Sequence, residues 1–447
     1  MGSANGKPAP CSFEQLLQAK HDKAKSIRYN RGEASEFYFL CAHGKIDEVR
    51  QVLESENAPS IDELNKLQPN GSTPLHAATY YNHLDVVKLL LERDCSRNTL
   101  NRFGKTAYEE AETNEMRQLF DRDEAANRFH ETNTADTIAL CLPQSNVDDM
   151  NVDQRSKYVH VFKSESEILK YTINQQTTAM WVKFYNWFSH TFRIFIERDD
   201  LHIDAIDLHN HPDFRQFLLS FPEDNVTKIM ESVHKAQQSN SIEPLINLYT
   251  DEGAGFYNPL NALLGQSSSN TNISPHLCDR FIIEFYIRLQ ELKERRFTGT
   301  TYRGATLSEN DLNVYKQAAE SNPPGVLGFK AFTSTSKDSL VALKFAHRKP
   351  LEDGKKHVIF VFEIIEASPT IIGVDDVSEY RHEQEVLILP GNLFTITRIQ
   401  EPTDPPITKI YLKHWYTPIS FWKKIKQTIR AGRIGVLDDN EPNENEQ

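Results

Sequence analysis

Cysteine is scarce in this chain, and the few present are scattered. The positions are Cys11, Cys41, Cys95, Cys141 and Cys278, an odd number without a regular spacing. Disulfide frameworks and structural zinc sites need cysteines that are paired or closely and regularly spaced. The sequence therefore predicts neither a disulfide-stapled secreted fold nor a metal site.

Long apolar runs and an excess of positive charge are also lacking. No stretch approaches the ~20 apolar residues of a membrane span, and residues 1–12 lack the apolar core of a secretory signal. The formal net charge of −13 disfavours nonspecific binding to DNA or RNA, because phosphate contacts need a basic face. We therefore expect a cytoplasmic protein without membrane contact and without a nucleic-acid partner.

The 447 residues suffice for two or three domains, and composition divides the chain into segments. The segments are an N-terminal tail (1–34), a repeat region (35–122), a linker (123–157), a middle region (158–240), a C-terminal domain (241–415) and an amphipathic segment with an acidic tail (416–447). The amphipathic segment, with Phe421, Trp422, Ile425 and Ile429 at helical spacing among basic residues, could contact an acidic surface or a membrane or dock on its own domain, and residues 438–447 are expected to be disordered.

A repeated motif marks the N-terminal region. Residues 71–78 read GSTPLHAA, which resembles the T-P-L-H-x-A signature of an ankyrin repeat. Residues 104–106 reproduce the start of that motif 33 residues later, which is the ankyrin period. An irregular earlier unit at residues 42–50 brings the number of repeats to about three, a minimal stack. Such repeats usually bind a protein partner.

The middle region carries less information. Eight aromatic and apolar residues crowd positions 181–195, which favours a core helix over a nucleic-acid stacking surface, because only two basic residues lie among them. His209-Asn210-His211 could suggest metal, but no third clustered ligand is evident. We therefore predict a turn before Pro212.

The most informative pattern is Glu383-Gln384-Glu385, followed by an apolar run at residues 386–389. If this segment is a strand, side chains alternate faces, so Glu383 and Glu385 share one face. Two close carboxylates resist joint ionisation unless a cation, a hydroxyl or a substrate uses them. Paired carboxylates suit reactions through a positively charged sugar, although a solvated strand edge can carry the same pattern.

Two upstream segments add groups that suit phosphate and ribose. Arg303 offers a planar fork that can hold a diphosphate, and Gly304 lets the backbone approach closely. Residues 333–336 form a hydroxyl cluster that can position ribose and phosphate oxygens. A surface arginine and a helix N-cap are the alternatives, and one serine of the cluster is expected to cap the helix that follows.

In this order, Arg303, Ser334-Thr335-Ser336 and Glu383-Gln384-Glu385 resemble the R-S-E class of mono-ADP-ribosyltransferases. The flanking residues also fit that family, since Tyr302 precedes the arginine and Val386-Leu387-Ile388 follows the glutamates. Residues 256–261 are similar to the helical entry of the same domain. The resemblance covers roughly residues 243 to 414, about two fifths of the chain.

The resemblance implies a role in NAD binding for each matching residue. Arg303 would hold the phosphates or the nicotinamide ribose of NAD, with Tyr302 and Gly304 beside it. Ser334 would orient that ribose and the catalytic carboxylate, and Thr335 and Ser336 would shape the turn. Glu385 would bond the ribose 2′-hydroxyl and stabilise the cation formed as nicotinamide leaves.

The resemblance also implies an acceptor. In this family, glutamate at the position of Glu383 accompanies arginine acceptors, and glutamine accompanies other acceptors or NAD hydrolysis. A carboxylate there can orient a guanidinium fork and take its proton. Tyr380, in the loop at residues 374–382, is the aromatic that we predict to contact the acceptor, with a packing role as the alternative.

Together these patterns predict a multidomain fold. We expect an all-α ankyrin-repeat solenoid, a mostly helical middle region and a C-terminal α+β ADP-ribosyltransferase fold with two packed β-sheets and N-terminal helices. The β-branched and aromatic run at residues 356–365 is predicted as a buried central strand. Residues 370–373, 394–399 and 407–411 are predicted as further strands.

The expected function is transfer of ADP-ribose from NAD to arginine side chains of target proteins. NADP is an alternative donor, and the ankyrin repeats are expected to hold a protein partner. Two other functions use the same residues. An NAD glycohydrolase would pass the ribosyl group to water, and a non-catalytic adaptor would keep the fold and act through its ankyrin repeats.

Overall fold

A computed structural model of the protein describes residues 34–122, 128–131, 138–143, 160–162, 206, 208–265, 279–289, 291–322, 324–347, 351, 354–401 and 407–415. The chain divides into two compact units. The first contains the described part of Met1–Ala126 with Tyr249–Gly253 and Asp375–Gln384, and the second contains the described part of Asn127–Leu248, Ala254–Val374 and Glu385–Gln447. No helix among these described residues is long and apolar enough to cross a membrane.

Short helices build the first unit. They are α1 (Glu36–Ala42), α2 (Ile46–Leu53), α3 (Ile61–Asn65), α4 (Pro74–Tyr80), α5 (Leu84–Glu92), α6 (Ala107–Glu110) and α7 (Asn114–Leu119). Apolar side chains from these helices form one core, which includes Val49, Leu75, Val87 and Leu90. Each helix is too short to be stable alone, so burial of this shared core holds the stack together.

The turns before α4 and α6 repeat with the predicted period. Gly71 has φ +80° and Gly104 has φ +70°, in the left-handed region that favours glycine. The N–H of Gly71 donates to Gln68 O at 2.7 Å, and the N–H of Gly104 donates to Asn101 O at 2.9 Å. The two turns are therefore the same structure, 33 residues apart.

Threonine caps follow these turns. The Thr73 hydroxyl accepts a hydrogen bond from the N–H of His76, and the Thr106 hydroxyl accepts one from the N–H of Glu109, both at 3.3 Å. The His76 ring lies 2.8 Å from Thr73 Oγ1 and 3.0 Å from Lys105 O, which links one repeat to the next.

The second unit combines helices with a mixed β-sheet. Its helices are α8 (Pro212–Leu218), α9 (Glu223–Ser239), α10 (Glu243–Thr250, whose last two residues belong to the first unit), α11 (Tyr257–Gly265), α12 (Asp279–Ile287), α13 (Glu309–Glu320) and α14 (Ser339–His347). Its strands are β1 (His130–Glu131), β2 (Ile138–Pro143), β3 (His160–Phe162), β4 (Gly299–Ser308), β5 (Val326–Phe329), β6 (Thr333–Ser336), β7 (Lys355–Ile364), β8 (Ile371–Gly373), β9 (Glu385–Ile388), β10 (Leu393–Gln400) and β11 (Thr408–His414). Single 3₁₀ turns lie at Lys293–Arg295 and Arg381–Glu383.

Within the described residues, the strands form one hydrogen-bonded sheet where two packed sheets were expected. Its order is β3-β2-β5-β10-β11-β7-β4-β6-β9-β8, and β1 pairs with β4. A single residue pair, Tyr302 with Ser336, joins β4 to β6. The pairing of β4 with β6 is limited to this residue pair. One edge of β4 pairs with β7 along its whole length, and beyond Tyr302 the other edge pairs with β1.

The predicted strands are confirmed at 355–364, 371–373, 393–400 and 408–414. In the central strand β7, Phe360 and Phe362 belong to the main core, which also contains side chains of α13. The alternate residues Ile359 and Val361 pack with alanines of α14. A strand buried on both faces reads as a continuous apolar run, as the sequence does here.

Two local predictions have different outcomes. A turn at residues 209–210 precedes α8, which begins at Pro212, as predicted. The expected serine cap of α14 is wrong, because Ser336 is held in strand β6 and the helix begins three residues later. Asp338 supplies the cap instead, and its Oδ1 accepts from the N–H of Leu340 at 2.8 Å.

Several predicted features lie outside the described residues. These are the tail before residue 34, most of the linker, the aromatic cluster at 181–195 and the segment after residue 415.

Gly304 sits where strand β4 and helix α14 approach closely. A methyl group at this position would lie 3.0 Å from Ala342 O and 3.0 Å from Ala346 Cβ, both on α14. Those contacts are tighter than normal packing, and one of them involves backbone. Glycine therefore sets the distance between this helix and the sheet.

We predict that Gly304→Ala destabilises the protein. Overpacking costs about 1–3 kcal/mol, whereas removing the flexibility of glycine returns only about 0.5–1 kcal/mol. Thermal unfolding followed by calorimetry measures the difference. Thr300→Ala, at an exposed position of the same strand, is the matched control and should change stability by less than about 0.5 kcal/mol. Equal stability of the Gly304 variant and the native chain contradicts this packing account.

Candidate active site

Three neighbouring strands carry the residues that the sequence singled out. Strand β6 lies between β4, with Arg303, and β9, which begins at Glu385. In the antiparallel pairing of β6 with β9, Ser336 lies opposite Glu385 and Ser334 lies opposite Leu387. Because side chains alternate along each strand, Ser334, Ser336 and Glu385 share one face of the sheet.

Arg303 is buried and binds backbone carbonyls. Its Nη1 donates to Ser334 O at 2.8 Å and to Arg128 O at 2.6 Å. The guanidinium therefore connects β4 to β6 and to the segment that carries Arg128. The neighbouring Tyr302 is partly buried and packs with the side chains between α14 and β7.

The hydroxyl groups of β6 differ in their bonding. Thr335 Oγ1 donates to Val386 O at 2.8 Å, and Ser336 Oγ accepts from the N–H of Asp338 at 3.0 Å. Ser334 Oγ is buried and forms no hydrogen bond with any described residue. A buried hydroxyl without a partner is costly, so Ser334 is the group of this strand best suited to bind a ligand oxygen.

Glu385 is fully buried and paired with an arginine that the sequence did not indicate. Arg128 Nη2 and Nε lie 2.6 Å and 3.0 Å from Glu385 Oε1, and neither side chain is exposed. The Arg128 guanidinium also lies over the ring of Tyr257, 4.9 Å from its centroid. Charge-assisted hydrogen bonds and the aromatic face together offset the desolvation of this pair.

The short segment around Arg128 contacts several of the residues that the sequence singled out and their neighbours. The N–H of Gly304 donates to Phe129 O at 2.8 Å, and β1 then runs parallel to β4 beside Gly304. The Phe129 ring packs edge-on against Phe345 at 5.1 Å. One stretch of backbone therefore contacts Arg303 and Gly304, while its arginine covers Glu385.

The expected placement of Glu383 on a strand beside Glu385 is wrong. Glu383 ends a 3₁₀ turn, and strand β9 begins only at Glu385. Gln384 between them has φ +49° and ψ +52°, in the left-handed region, so alternation does not relate the two carboxylates. The N–H of Gln384 donates to Arg381 O at 3.0 Å, and this bond closes the turn.

Glu383 is buried in the first unit and is held by Arg122, which follows α7. Arg122 Nε lies 2.8 Å from Glu383 Oε2, and Arg122 Nη1 lies 2.6 Å from Glu252 Oε1 and 3.1 Å from Thr250 O. The face of the guanidinium lies over the Tyr380 ring at 3.8 Å. Two carboxylates, a carbonyl and an aromatic ring thus surround one arginine.

Tyr380 is a buried aromatic between two cations. Arg97 lies 5.2 Å from its ring centroid, in addition to Arg122. Burial raises the pKa of the Tyr380 hydroxyl, while the charges of Arg97 and Arg122 lower it. Nearby, Glu379 accepts from the N–H of Arg97 at 2.8 Å, which fixes the start of this turn. Tyr380 therefore has packing contacts in this turn, and its contact with an acceptor stays a prediction.

Sequence reasoning missed Arg122, Arg128 and Glu252. None of them lies in a motif, and Arg122 and Arg128 are 261 and 257 residues away from the glutamates that they bind. Only electrostatics could have indicated these arginines, because two carboxylates that become buried need cationic partners. Among the described residues, no group of histidine, cysteine or acidic side chains is placed to hold a metal ion.

Comparison with known proteins supports the N-terminal prediction. Residues 63–111 match the family model for ankyrin repeats, which confirms the ankyrin region. The ankyrin repeat-containing protein P1E11.10 of Schizosaccharomyces pombe is 36% identical over 69 residues, which are 15% of this chain and 31% of that protein. This chain thus aligns with less than a third of that relative.

Solved structures similar to this chain include ADP-ribosyltransferases. The alignment with the structure of Vis in complex with agmatine has 24% identity and a TM-score of 0.31, and it spans 39% of this chain and 74% of the Vis chain. Vis toxin from Vibrio splendidus is 18% identical with a TM-score of 0.31, covering 57% of this chain and 88% of its own. HopU1 of Pseudomonas syringae pv. tomato DC3000 is 15% identical with a TM-score of 0.28, covering 36% of this chain and 65% of its own.

We predict that Arg128 and Glu385 depend on each other for stability. Arg128→Met leaves a buried carboxylate without its cation, which typically costs about 3–5 kcal/mol. The double variant Arg128→Met with Glu385→Gln removes both charges and should recover most of that loss. Calorimetric unfolding of the native chain, both single variants and the double variant measures the coupling. Additive losses in the double variant contradict a direct pair.

Proposed function

We propose that this protein transfers ADP-ribose from NAD to arginine side chains of target proteins and releases nicotinamide. The observation that carries the proposal is the placement of Arg303, Ser334 and Glu385 on the adjacent strands β4, β6 and β9. An arginine, an unpartnered hydroxyl and a buried carboxylate are the groups needed to bind a diphosphate, orient a ribose and stabilise a ribosyl cation.

In this proposal each residue of the second unit acts on NAD. Arg303 binds the phosphates or the nicotinamide ribose, with Tyr302 and Gly304 at its sides. The Ser334 hydroxyl bonds a ribose oxygen, which gives this buried group its missing partner. Thr335 bonds β6 to β9 through Val386 O, and Ser336 shapes the turn after β6 by accepting from the N–H of Asp338.

Glu385 stabilises the positive charge that develops on the ribose as the bond to nicotinamide breaks. Its Oε1 is the oxygen that Arg128 holds in this structure. We propose that the ribose 2′-hydroxyl takes the place of the Arg128 guanidinium at this oxygen. Movement of Arg128 away from Glu385 is accordingly part of the proposed reaction.

Glu383 and Tyr380 are proposed to act on the acceptor arginine. A guanidinium is a poor nucleophile while protonated, and a carboxylate can both orient its fork and take its proton. The ankyrin repeats, which the same unit contains, are proposed to hold the target protein. The acceptor-directed residues and the target-binding repeats then belong to one compact unit.

NAD hydrolysis is the second candidate, and one observation favours it. Glu383 ends a turn and is bonded to Arg122, so the carboxylate that would activate an acceptor arginine is already engaged. Of the two glutamates, cleavage of the nicotinamide bond needs only Glu385, acting with Arg303 and Ser334, after which water takes the ribosyl group. The two candidates differ in the fate of ADP-ribose.

We predict that Glu383→Gln separates transfer from hydrolysis. Loss of the proton acceptor should lower transfer of labelled ADP-ribose from NAD to agmatine, a free guanidine acceptor, by about 100-fold or more. Nicotinamide release into water should change by only a few-fold, because Glu385 is retained. Glu385→Ala is the matched variant and should abolish both.

Three outcomes separate the candidates. Label on agmatine that disappears in both variants supports arginine transfer. Nicotinamide release without labelled agmatine supports the glycohydrolase. Equal loss of both reactions in Glu383→Gln contradicts the division of labour between the two glutamates.

A further inference from the structure

Arg122 has the surroundings of a bound ligand. Guanidinium groups are recognised by carboxylates that meet the edges of the planar fork and by aromatic rings that meet its face. Here Glu383 meets the Nε edge at 2.8 Å, Glu252 meets the Nη1 edge at 2.6 Å, and Tyr380 lies against the face at 3.8 Å. These groups come from two separate stretches of the chain, Tyr249–Gly253 and Asp375–Gln384, and Arg122 itself comes from a third.

The charge balance favours a guanidinium at this position. Two carboxylates, Glu252 and Glu383, contact one arginine, and the Thr250 carbonyl adds a further acceptor at 3.1 Å. The side chains of Arg122 and Glu383 are almost completely buried, and that of Glu252 is 22% exposed. A buried acidic site of this kind needs a cation, and a planar cation satisfies its acceptors best.

We propose that Glu252, Glu383 and Tyr380 form a guanidinium-binding site and that Arg122 is its internal ligand, in competition with the acceptor arginine. The inference rests on the proposed transferase function, in which Glu383 orients the acceptor. It adds Glu252 as an acceptor-binding residue and gives Arg122 a regulatory role. Glu383 cannot serve an external guanidinium until Arg122 leaves it.

The exchange replaces one guanidinium by another. An incoming arginine meets the same two carboxylates and the same ring that Arg122 leaves, so the interactions of the two guanidinium groups are equivalent. Arg122 has the advantage of being tethered, and a tethered group acts at an effective concentration of about millimolar or higher. The native chain should therefore bind a small guanidine only weakly and should respond best to an acceptor that is itself held close, as by the ankyrin repeats.

The test is the binding of agmatine to the full-length chain, measured by isothermal titration calorimetry without NAD. Arg122→Ala removes the internal ligand and should lower the Kd for agmatine at least about tenfold. Arg117→Ala is the matched control, because the Arg117 guanidinium bonds the Ala111 carbonyl at 3.2 Å, and this variant should bind agmatine as the native chain does. Adding Glu252→Gln to Arg122→Ala should weaken agmatine binding again, by about tenfold.

Transfer kinetics supply the second readout. In Arg122→Ala the KM for agmatine should fall at least about tenfold while the KM for NAD stays unchanged. If agmatine binds more tightly to the variant but neither the native chain nor the variant labels it, the guanidinium site stands and the transferase proposal fails. If the native chain and the variant label agmatine with the same KM, the transferase proposal stands and this inference fails.

A structural role for Arg122 predicts a different pattern. In that case the Arg122→Ala variant is less stable than the native chain, and agmatine neither binds to the variant nor restores its stability. That result overturns the inference. Should Arg122→Ala not fold, as judged by circular dichroism, Arg122→Lys takes its place, because it keeps a cation but lacks the planar fork. The Kd for agmatine should then fall a few-fold relative to the native chain, and an unchanged Kd contradicts the proposal.

Discussion

A carboxylate removed from water needs a cation or several hydrogen-bond donors, because desolvation of an isolated charge costs far more than folding can supply. Glu385 is fully buried and Glu383 nearly so. Arg122 holds Glu383 and Arg128 holds Glu385, and the two arginines lie within a few residues of each other, after helix α7. Both buried ion pairs follow from this requirement.

The division of the chain into two units leaves each arginine in the same unit as the glutamate that it binds. Of the described residues, Arg122 is in the first unit and Arg128 in the second, and the units change again between Gln384 and Glu385. Arg122 and Glu383 consequently belong to the first unit, while Arg128 and Glu385 belong to the second. The E-x-E motif thus divides its two carboxylates between the ankyrin-containing unit and the β-sheet.

That division gives the motif a physical interpretation. Under the proposed function, the carboxylate that acts on NAD is fixed by the sheet, where Ser336 lies opposite it in register. The carboxylate that acts on the acceptor is fixed by a turn that carries Tyr380, and it is bonded to Arg122. The left-handed conformation of Gln384 makes this separation possible, because it stops the strand at Glu385.

Local patterns were sufficient to predict some of this structure. The repeated turns at Gly71 and Gly104 and the continuous apolar strand β7 depend on short-range rules of backbone conformation and burial. The turn at Glu383 was missed because E-x-E before an apolar run is also a good strand pattern, and only contacts with Arg122 distinguish the two. Such contacts join residues about 260 apart, which no local pattern encodes.

A crystal structure of the protein with a non-hydrolysable NAD analogue tests the central claim most directly, that Glu385 serves NAD and is covered by Arg128 until NAD binds. We predict that the Arg128 guanidinium moves away from Glu385 and that a hydroxyl of the nicotinamide ribose takes its place at Oε1. An analogue bound elsewhere, or bound with the Arg128 to Glu385 contact still at 2.6 Å, contradicts it.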